Sequence, residues 1–450
     1  MKKYILLTWL FTISIVFLYA QTSNVLPSKS QLKWANSEIG VLIHYDINIF
    51  AKGGADAVDL AKKETLPPLS AFNPSKLNTD QWIETAKKAG AKYAVLVAKH
   101  GTGFTLWPSK ANDYNIGNTP FKNGKGDILG DFIKSCKKYD IKPGIYYNTN
   151  YNSYFGAGYT KLPDDQTLKY NQMVYQQLHE IWTKYGTLFE IWFDGGVMTD
   201  KKLGISDKVS TLLRKYQPNA ILFQGPLSEN NLIRWVGNEE GHAPYPNWSK
   251  ADANTSATGT VEIPNLNGNP DGKYWIPGET DFPNRKNGGW MWDADGSKQP
   301  PFSADELLDR YYTSVGRNAN MLIGMVIDTA GLFPEHDSQI FVEFGKKLNA
   351  RTQSMIGTTD GKGNIFTIKL EAAKEINQIE IQEDISKGER VRSYNIEGLV
   401  EGKWNKLCDG TSVGHKRIQL FDKVKVTEIR LTIVKSEGEP IIRKFSVYKY

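Results

Sequence analysis

Short, continuous apolar runs alternate with segments of helical periodicity from residue 39 to about residue 330. Continuous apolar strands separated by helices are typical of a parallel sheet that is covered on both faces. The strands that this pattern predicts are 39–44, 93–98, 142–147, 188–193, 220–223 and 320–327. The helices that it predicts are 80–89, 127–139, 168–185, 209–216 and 304–315. The pattern therefore indicates the α/β class.

A closed (β/α)8-like barrel, the TIM barrel, is the architecture that this alternation favours, and an open doubly wound sheet is the alternative. A nucleotide-binding sheet would carry a glycine-rich phosphate loop after its first strand, and no such loop follows residues 39–44. Residues 238–290 are rich in Gly, Pro, Asn and Trp and contain no long helical pattern. Because long irregular segments in a compact domain usually serve function, we expect this stretch to form late loops over the site.

The pattern changes to a period of two after a helix predicted at 340–349. Beyond residue 363, short runs alternate apolar and polar side chains and are separated by turns, which predicts an all-β sandwich. In fold, this stretch resembles the discoidin-like jelly rolls. We therefore divide the chain into a catalytic barrel at 30–352 and a β-sandwich module at 353–450. The predicted strands of the module are 365–370, 376–381, 424–426, 428–433 and 445–448.

Residues 1–20 have the features of a secretory signal peptide. Lys2 and Lys3 form a charged start, residues 4–19 are apolar, and Ala20 is a small residue at the expected cleavage point. We expect the mature protein to be exported and to be periplasmic or extracellular, and an uncleaved anchor is the alternative. No later stretch has the roughly 18 consecutive apolar residues of a membrane span, so we expect none.

Composition narrows the class of partner. Aromatic residues make up 12% of the 450 residues, with 12 Trp and 22 Tyr. Aromatic faces stack on the C–H faces of sugars, so this excess is compatible with carbohydrate binding, although large aromatics also fill large cores. The net charge is +6 and the basic residues are interspersed with acids. Nucleic acid is therefore not implied as a partner.

Four of the predicted strands end in residues that can do chemistry: His44, His100, Tyr147 and Asp194. In (β/α)-barrels the active site lies at the carboxyl ends of the strands, so we expect these side chains to meet there. Asp194 is followed by two glycines, which allow the backbone or a ligand to approach closely. By pattern alone, this carboxylate could be a metal ligand, a helix cap or a nucleophile.

A second acidic position follows a probable strand that ends near residue 236, where Glu239 and Glu240 lie side by side. Glycosidases need two carboxyl groups, one ionised and one kept protonated, and Asp194 with either Glu provides such a pair. Adjacent side chains of an extended chain point in opposite directions, so we expect one of the two to face the site.

Metal and cofactor chemistry receive little support from the sequence. The six histidines include no His-x-His or His-x-x-x-His spacing, and no Gly-x-Ser-x-Gly motif is present. We therefore interpret His44 and His100 as neutral imidazoles that bind sugar hydroxyls, and we expect no metal and no cofactor.

Over roughly residues 35–330 the chain resembles glycoside hydrolase family 29, the α-L-fucosidases. The resemblance includes the family's Ala-Gly-Ala-Lys-Tyr segment, its Trp-Phe-Asp-Gly motif and the Gly-Asn-Glu motif of the branch that prefers α-1,3/1,4-linked fucose. The stretches that carry it are Gly40–His44, Ala89–Tyr93, Lys99–Ser109, Gly144–Tyr147, Trp192–Gly195, Arg234–Glu239, Ile276–Asp281 and Gly289–Trp290.

This resemblance implies an exo-acting, retaining hydrolase that releases terminal α-L-fucose from an oligosaccharide or glycoconjugate by double displacement. It implies Asp194 as the nucleophile and Glu239, rather than Glu240, as the acid/base. The residues that it implies for substrate binding are His44, His100, Tyr147, Trp192, Glu279 and Trp290.

The sequence departs from the family after strands 1, 2 and 3, where the family's Ser-Pro-Trp-Asp after strand 3 is replaced by residues 148–151, Asn-Thr-Asn-Tyr. The family's His-His-Asp-Gly-Phe is replaced by residues 100–104, His-Gly-Thr-Gly-Phe, so the second His is missing. The strand-1 His, followed in the family by an aromatic residue and Gly, is followed by Tyr45 and Asp46. Because loss of a hydroxyl contact changes which sugar fits, we expect an altered pocket.

Three alternatives remain at this stage. Gly101 opens space and Thr102 is polar, so an α-L-galactosidase on the same scaffold is the first. The second is a non-catalytic carbohydrate-binding protein, and the third is a metal-dependent barrel hydrolase that uses His44, His100 and Asp194.

Overall fold

Eight parallel strands close into a barrel in the computed structural model, which describes residues 25–158, 161–256 and 258–450. Each strand pairs with its neighbours in chain order, and the last pairs with the first through contacts such as Ile39 with Met321. The predicted TIM barrel is confirmed, and the open sheet is excluded. The strands are β1 Ile39–His44, β2 Tyr93–Lys99, β3 Lys142–Asn148, β4 Glu190–Asp194, β5 Ile221–Phe223, β6 Leu232–Trp235, β7 Gly278–Phe282 and β8 Ala319–Val326.

The described part of the chain contains seven α-helices. Two of them begin at capping boxes, in which Ser28 pairs with Gln31 and Ser303 pairs with Glu306. These boxes satisfy the first free N–H groups of each helix, so the sequence signal locates the helix start. The helices are α1 Lys29–Ala35, α2 Thr79–Lys88, α3 Ile128–Tyr139, α4 Asp164–Lys184, α5 Ser206–Tyr216, α6 Ala304–Thr313 and α7 Glu335–Gln353.

Alternation along β3 and β4 separates the barrel interior from the layer between strands and helices. Tyr146 pairs in register with Trp192, and both side chains belong to the apolar cluster inside the barrel. Tyr147 and Phe193, one residue further along, belong to the cluster that packs under the helices. Alternate residues of each strand therefore point into the barrel, and only these residues can reach its mouth.

Strand β7 lies inside the stretch 238–290 that the sequence predicted as loop, so that prediction is wrong for residues 278–282. The strand escapes a search for apolar runs because its inward positions are acidic, with Glu279 and Asp281 facing the interior. All five of its residues are nevertheless buried. Where the structure describes it, the rest of the stretch contains no helix and forms two-residue strands, in which Lys250–Ala251 pairs with Tyr274–Trp275 and Asn254–Thr255 with Val261–Glu262.

The C-terminal module is all-β, as predicted, and forms one antiparallel six-stranded sheet with its own apolar core. The five predicted period-two runs fall in three of its strands, because 365–370 and 376–381 belong to one strand and 424–426 and 428–433 to another. The prediction missed residues 355–362, 391–400 and 403–410. The strands are β9 Met355–Lys362, β10 Ile365–Glu383, β11 Val391–Val400, β12 Lys403–Gly410, β13 Arg417–Ser436 and β14 Ile441–Tyr448, in the order β9-β14-β10-β13-β11-β12.

Buried polar contacts join the module to the barrel. The Glu389 carboxylate accepts hydrogen bonds from the Ser249 hydroxyl at 2.7 Å and from the Asn318 amide at 2.6 Å. Lys416 lies 2.6 Å from Glu38. Because Glu38 directly precedes β1 and Asn318 directly precedes β8, the module contacts the amino-terminal face of the barrel and leaves the carboxyl ends free.

The predicted signal peptide, residues 1–20, lies outside the described residues. Among the helices of the described ranges, none is both long and apolar enough to cross a membrane.

Candidate active site

Asp194 ends β4 at the mouth of the barrel, where its carboxylate is held by two donors from β3. Its Oδ2 accepts a hydrogen bond from the Tyr146 hydroxyl and another from Asn148 Nδ2 at 2.7 Å. Within the described residues, Oδ1 receives no hydrogen bond. Gly195 and Gly196 adopt φ values of 86° and 73°, which turn the chain away from the carboxylate. Asp194 therefore presents one oriented, unoccupied oxygen at the mouth.

Tyr146 takes the place that the sequence analysis gave to Tyr147. The Tyr147 side chain is fully buried under the helices, and its hydroxyl donates to Gln177 Oε1 at 2.5 Å. The prediction of Tyr147 as a sugar contact is therefore wrong. Strand alternation could have shown this, because residues 146 and 148 share a face with residues 192 and 194 in adjacent strands.

His44 and His100 meet beside this carboxylate, as expected from their positions at the ends of β1 and β2. Their ring centroids are 6.2 Å apart, and the His100 ring stacks on Tyr146 at 5.9 Å. Burial lowers the pKa of His44 to about 3, helped by the nearby His100. Burial also lowers the pKa of His100. Both imidazoles are therefore neutral near pH 7, so each ring offers one donor and one acceptor, which suits sugar hydroxyls.

Trp290 connects Glu239 to the histidines. Its indole N–H donates to Glu239 Oε2 at 2.9 Å, and its ring centroid lies 4.8 Å from that of His44. Glu239 and Glu240 are both exposed, but the Glu240 backbone N–H donates to Asn238 Oδ1 and no hydrogen bond joins its carboxylate to Trp290. The structure thus brings Glu239, rather than Glu240, into contact with the residues at the mouth.

Trp192 forms part of the floor of the site. It stacks on Tyr146 with centroids 5.1 Å apart and on Phe223 at 3.6 Å. Its indole N–H donates to Glu279 Oε1 at 3.2 Å, while the Tyr93 hydroxyl donates to Glu279 Oε2 at 2.8 Å. Glu279 is fully buried inside the barrel, with both oxygens bonded to protein. The structure therefore makes Glu279 a support for Trp192 rather than the sugar contact that we predicted.

The support below Trp192 is a pair of buried carboxyl groups. Burial raises the pKa of Glu190 to about 8, while the Trp34 indole N–H donates to its Oε2 at 2.9 Å. Burial also raises the pKa of Glu279, and the nearby Glu190 raises it further. The pair therefore keeps a proton at neutral pH, so Trp192 rests on carboxyl groups that are not both charged.

Asp281 is a site residue that the sequence analysis did not select. The Trp235 indole N–H donates to its Oδ1 at 2.6 Å. Burial raises the pKa of Asp281 to about 7, and the charges of Glu239 and Asp194 contribute to the rise. Asp281 is therefore electrostatically coupled to both carboxylates at the mouth. Its position two residues after Glu279, on the same face of β7, was the available signal.

In the described ranges, no three His, Cys, Asp or Glu side chains are grouped in a way that could hold a metal ion. What the mouth offers is one oriented carboxylate, a second carboxylate held by an indole, two neutral imidazoles and several aromatic faces. Such a set, at the carboxyl ends of a closed (β/α)8 barrel, is that of a glycoside hydrolase.

Comparison with known families identifies which glycoside hydrolase this is. The alpha-L-fucosidase family model matches residues 18–353, and a F5/8 type C domain model matches residues 346–445. The chain belongs to the alpha-L-fucosidase family, and it is an enzyme of that activity.

Relatives agree over nearly the whole chain. Alpha-L-fucosidase 1 of Arabidopsis thaliana is 28% identical across 94% of this chain and 87% of its own. A solved protein of Bacteroides thetaiotaomicron VPI-5482, assigned as an alpha-L-fucosidase, is 36% identical, with a TM-score of 0.86 over 95% of this chain and 99% of its own. A glycoside hydrolase 29 family member from a rumen bacterium is 28% identical, with a TM-score of 0.80 over 94% and 77%. None of these relatives favours the α-L-galactosidase, binding-protein or metal-hydrolase alternatives.

Proposed function

We propose that the enzyme releases terminal α-L-fucose with retention of configuration, using Asp194 as nucleophile and Glu239 as acid/base. The observation that carries this proposal is the geometry of Asp194. Two donors hold its Oδ2, and Oδ1 is left toward the mouth of the barrel. A carboxylate with one restrained and one free oxygen is suited to attack on an anomeric carbon.

In the first step, Asp194 Oδ1 attacks the anomeric carbon while the Glu239 carboxyl gives its proton to the leaving oxygen. In the second step, Glu239 takes a proton from water, and the water oxygen displaces Asp194. Retaining enzymes place the two carboxyl groups about 5–5.5 Å apart, which leaves no room for a water during the first step. The N–H of Trp290 orients Glu239 for both roles.

The sugar is held by the neutral imidazoles of His44 and His100. The aromatic rings in contact with these imidazoles are Trp290 and Tyr146, and Trp192 stacks on Tyr146. Neutral rings serve this purpose because the ring nitrogen that faces the sugar can accept from a hydroxyl or donate to it, according to the tautomer. We also propose that Asp281, coupled to Asp194 and Glu239, is partly protonated near pH 7 and so limits repulsion among the three carboxyl groups.

We further propose a preference for α-1,3- and α-1,4-linked fucose, on the basis of the motif 234–239. Arg234 of that motif is buried and donates to the Ile276 carbonyl and to Asn247 Oδ1, both at 2.5 Å. These hydrogen bonds fix the segment that leads into the turn at Glu239. Comparing kcat/KM on α-1,2-, α-1,3- and α-1,4-linked fucosyl oligosaccharides tests the preference, and equal values for the three linkages would contradict it.

Export through removal of residues 1–20 is also a proposal, supported by the charged and apolar pattern of that segment. N-terminal sequencing of the protein recovered from outside the cytoplasm checks it. A mature chain that still begins at Met1 would contradict it.

The mechanism is tested by following hydrolysis of an aryl α-L-fucoside by proton NMR. The first product should be α-L-fucose, and an initial β anomer would rule out double displacement. Glu239→Gln should lower kcat on a natural glycan about a hundredfold or more, because a poor leaving group needs the proton. Glu240→Gln is the matched control one residue away, and it should retain activity within about twofold of the unmodified enzyme.

A further inference from the structure

Asp46, two residues after β1, is a buried carboxylate with one satisfied oxygen. It is 2% exposed. Its Oδ1 accepts hydrogen bonds from the Thr102 hydroxyl at 2.9 Å and from the Ile47 backbone N–H at 2.7 Å. Its Oδ2 has no hydrogen-bond partner within the described residues. The carboxylate is therefore fixed in orientation, with its second oxygen free for one more donor.

That second oxygen faces His100. The distance from Asp46 Oδ2 to His100 Nδ1 is 4.0 Å, and Nδ1 is likewise buried without a partner among the described residues. A buried polar atom without a partner is unfavourable, and the two unsatisfied atoms are complementary. A shift of about 1 Å would bring them to hydrogen-bond distance. Catalytic hydrogen bonds are often long in a free enzyme and shorten when substrate binds.

The His100 ring is exposed enough to move by this distance, and the move would determine what its other ring nitrogen can bind. Its side chain is 24% exposed, and its ring stacks on Tyr146, which donates to Asp194. If Nδ1 carries the proton and donates it to Asp46, then Nε2 must be the acceptor. A hydrogen bond on one ring nitrogen thus decides what the other nitrogen offers to a sugar.

We propose that Asp46 is a positioning residue that fixes the tautomer of His100, so that Nε2 accepts a hydrogen bond from a sugar hydroxyl. The proposal rests on the α-L-fucosidase function described above and adds a residue that determines how the sugar is held. Since Nε2 can only accept in this arrangement, the hydroxyl at this position must donate. A ligand atom without a proton, such as an ether oxygen, would be excluded from it.

The charged groups around the pair are consistent with this role. Burial raises the pKa of Asp46 to about 7, and the charge of Lys99 opposes the rise. Lys99 is itself buried and donates to the Asn148 carbonyl at 2.6 Å, while Asp194 faces both Lys99 and His100. Because the carboxylate form must accept from Nδ1–H, the arrangement should weaken as the pH falls below about 7.

The variant Asp46→Asn gives a specific test. In this variant the amide oxygen must replace Oδ1, since that position accepts from Thr102 and from a backbone N–H. The amide NH2 group then faces His100 and donates to Nδ1. Nε2 would become the protonated nitrogen, so the tautomer reverses while the size of the side chain is preserved. We expect kcat/KM to fall by about tenfold to a hundredfold.

Tyr45→Phe is the matched control. Tyr45 is the preceding residue, and its buried hydroxyl also lacks a partner among the described residues. Its ring packs on Phe72 and Trp82, away from the mouth. Removing an unsatisfied hydroxyl there should leave kcat/KM and the histidine tautomers unchanged. Asp46→Ala shows whether any effect of Asp46→Asn comes from the tautomer or from lost packing.

A readout that does not depend on turnover is 15N NMR of the six imidazole rings with L-fucose bound, with His100 assigned by His100→Gln. The expected result is a proton on Nδ1 of His100 in the unmodified protein and on Nε2 in Asp46→Asn. An unchanged tautomer in Asp46→Asn would overturn the proposal even if activity fell, and so would a reversed tautomer with kcat/KM within twofold. Absence of fucosidase activity in the unmodified enzyme would instead refute the proposed function, while the tautomer could still be measured.

Discussion

Glu38 and Asp46 lie at the two ends of strand β1, and their surroundings shift the pKa values of the half-buried Glu38 and the buried Asp46 in opposite directions. Burial alone would raise the pKa of both. Glu38 faces Lys416 at 2.6 Å and His415 at 3.1 Å, and these partners bring its pKa down to about 2. Asp46 has a hydroxyl and one backbone N–H instead, and its pKa rises to about 7.

This difference between Glu38 and Asp46 shows that residues for stability and residues for catalysis lie at opposite faces of the barrel. At the amino-terminal face the half-buried Glu38 charge is neutralised by Lys416 from the C-terminal module, so this pair contributes to holding the two domains together. At the carboxyl-terminal face a buried carboxyl group is left partly unsatisfied, which costs stability but leaves an oxygen able to act on a neighbour. Substitutions at the amino-terminal face should therefore lower stability and leave activity unchanged, whereas substitutions at the carboxyl-terminal face should lower activity.

The largest expected effect on activity is at Asp194. Asp194→Asn should lower kcat on an aryl α-L-fucoside by about a thousandfold or more, because the amide cannot form the covalent intermediate. The melting temperature should change little, since the amide can still accept from Tyr146 and Asn148. Near-normal turnover in this variant would remove Asp194 from the mechanism.

The largest expected effect on stability is at the opposite face. Lys416→Met should lower the free energy of unfolding by about 1.5–3 kcal/mol, because it removes the principal charged partner of the half-buried Glu38. Urea denaturation measures the loss, and kcat/KM of the folded fraction should be unchanged. Lys449→Met is the control. It removes an exposed pair with Glu375 that should contribute under about 1 kcal/mol.

The paired tyrosines of β3 sharpen the comparison within a single strand. Tyr146→Phe removes a donor to Asp194 and should lower kcat by about tenfold to a hundredfold. Tyr147→Phe leaves Gln177 with a buried, unpartnered oxygen, which should cost about 1–3 kcal/mol of stability with kcat unchanged. Steady-state kinetics and thermal denaturation of both variants distinguish the two roles. The reverse result would mean that the strand faces are assigned wrongly.

The last prediction concerns the pH dependence of stability. The pKa of Asp281 is raised from 3.8 to about 7 by folding, so the folded state binds more protons than the unfolded state between those values. Stability should therefore decrease as the pH rises from about 4 to 7. Asp281→Asn should make this part of the profile flatter, as measured by urea denaturation at several pH values. A profile identical to that of the unmodified protein would show that Asp281 does not titrate as proposed.

Much of the fold could be predicted from the sequence because buried strands and helices show characteristic spacings of apolar residues over short stretches of chain. Continuous apolar runs at 39–44 and 93–98 indicate strands covered on both faces, and those strands are present with nearly the same bounds. The polar strand β7 was missed because its inward Glu279 and Asp281 find partners on other strands. A search for apolar residues does not detect a buried position that carries a polar side chain, when the hydrogen-bond partner of that side chain is far away in the chain.

The sequence by itself determined the α/β alternation, the change to an all-β module and the placement of Asp194, His44 and His100 at strand ends. These features depend on residues close together in the chain, whose periodicity reflects what they bury. The tertiary structure alone decided that Glu279 supports Trp192 and that Asp46 faces His100. Those contacts join different strands and loops, and their distances follow from barrel closure and strand register, which short-range pattern does not encode.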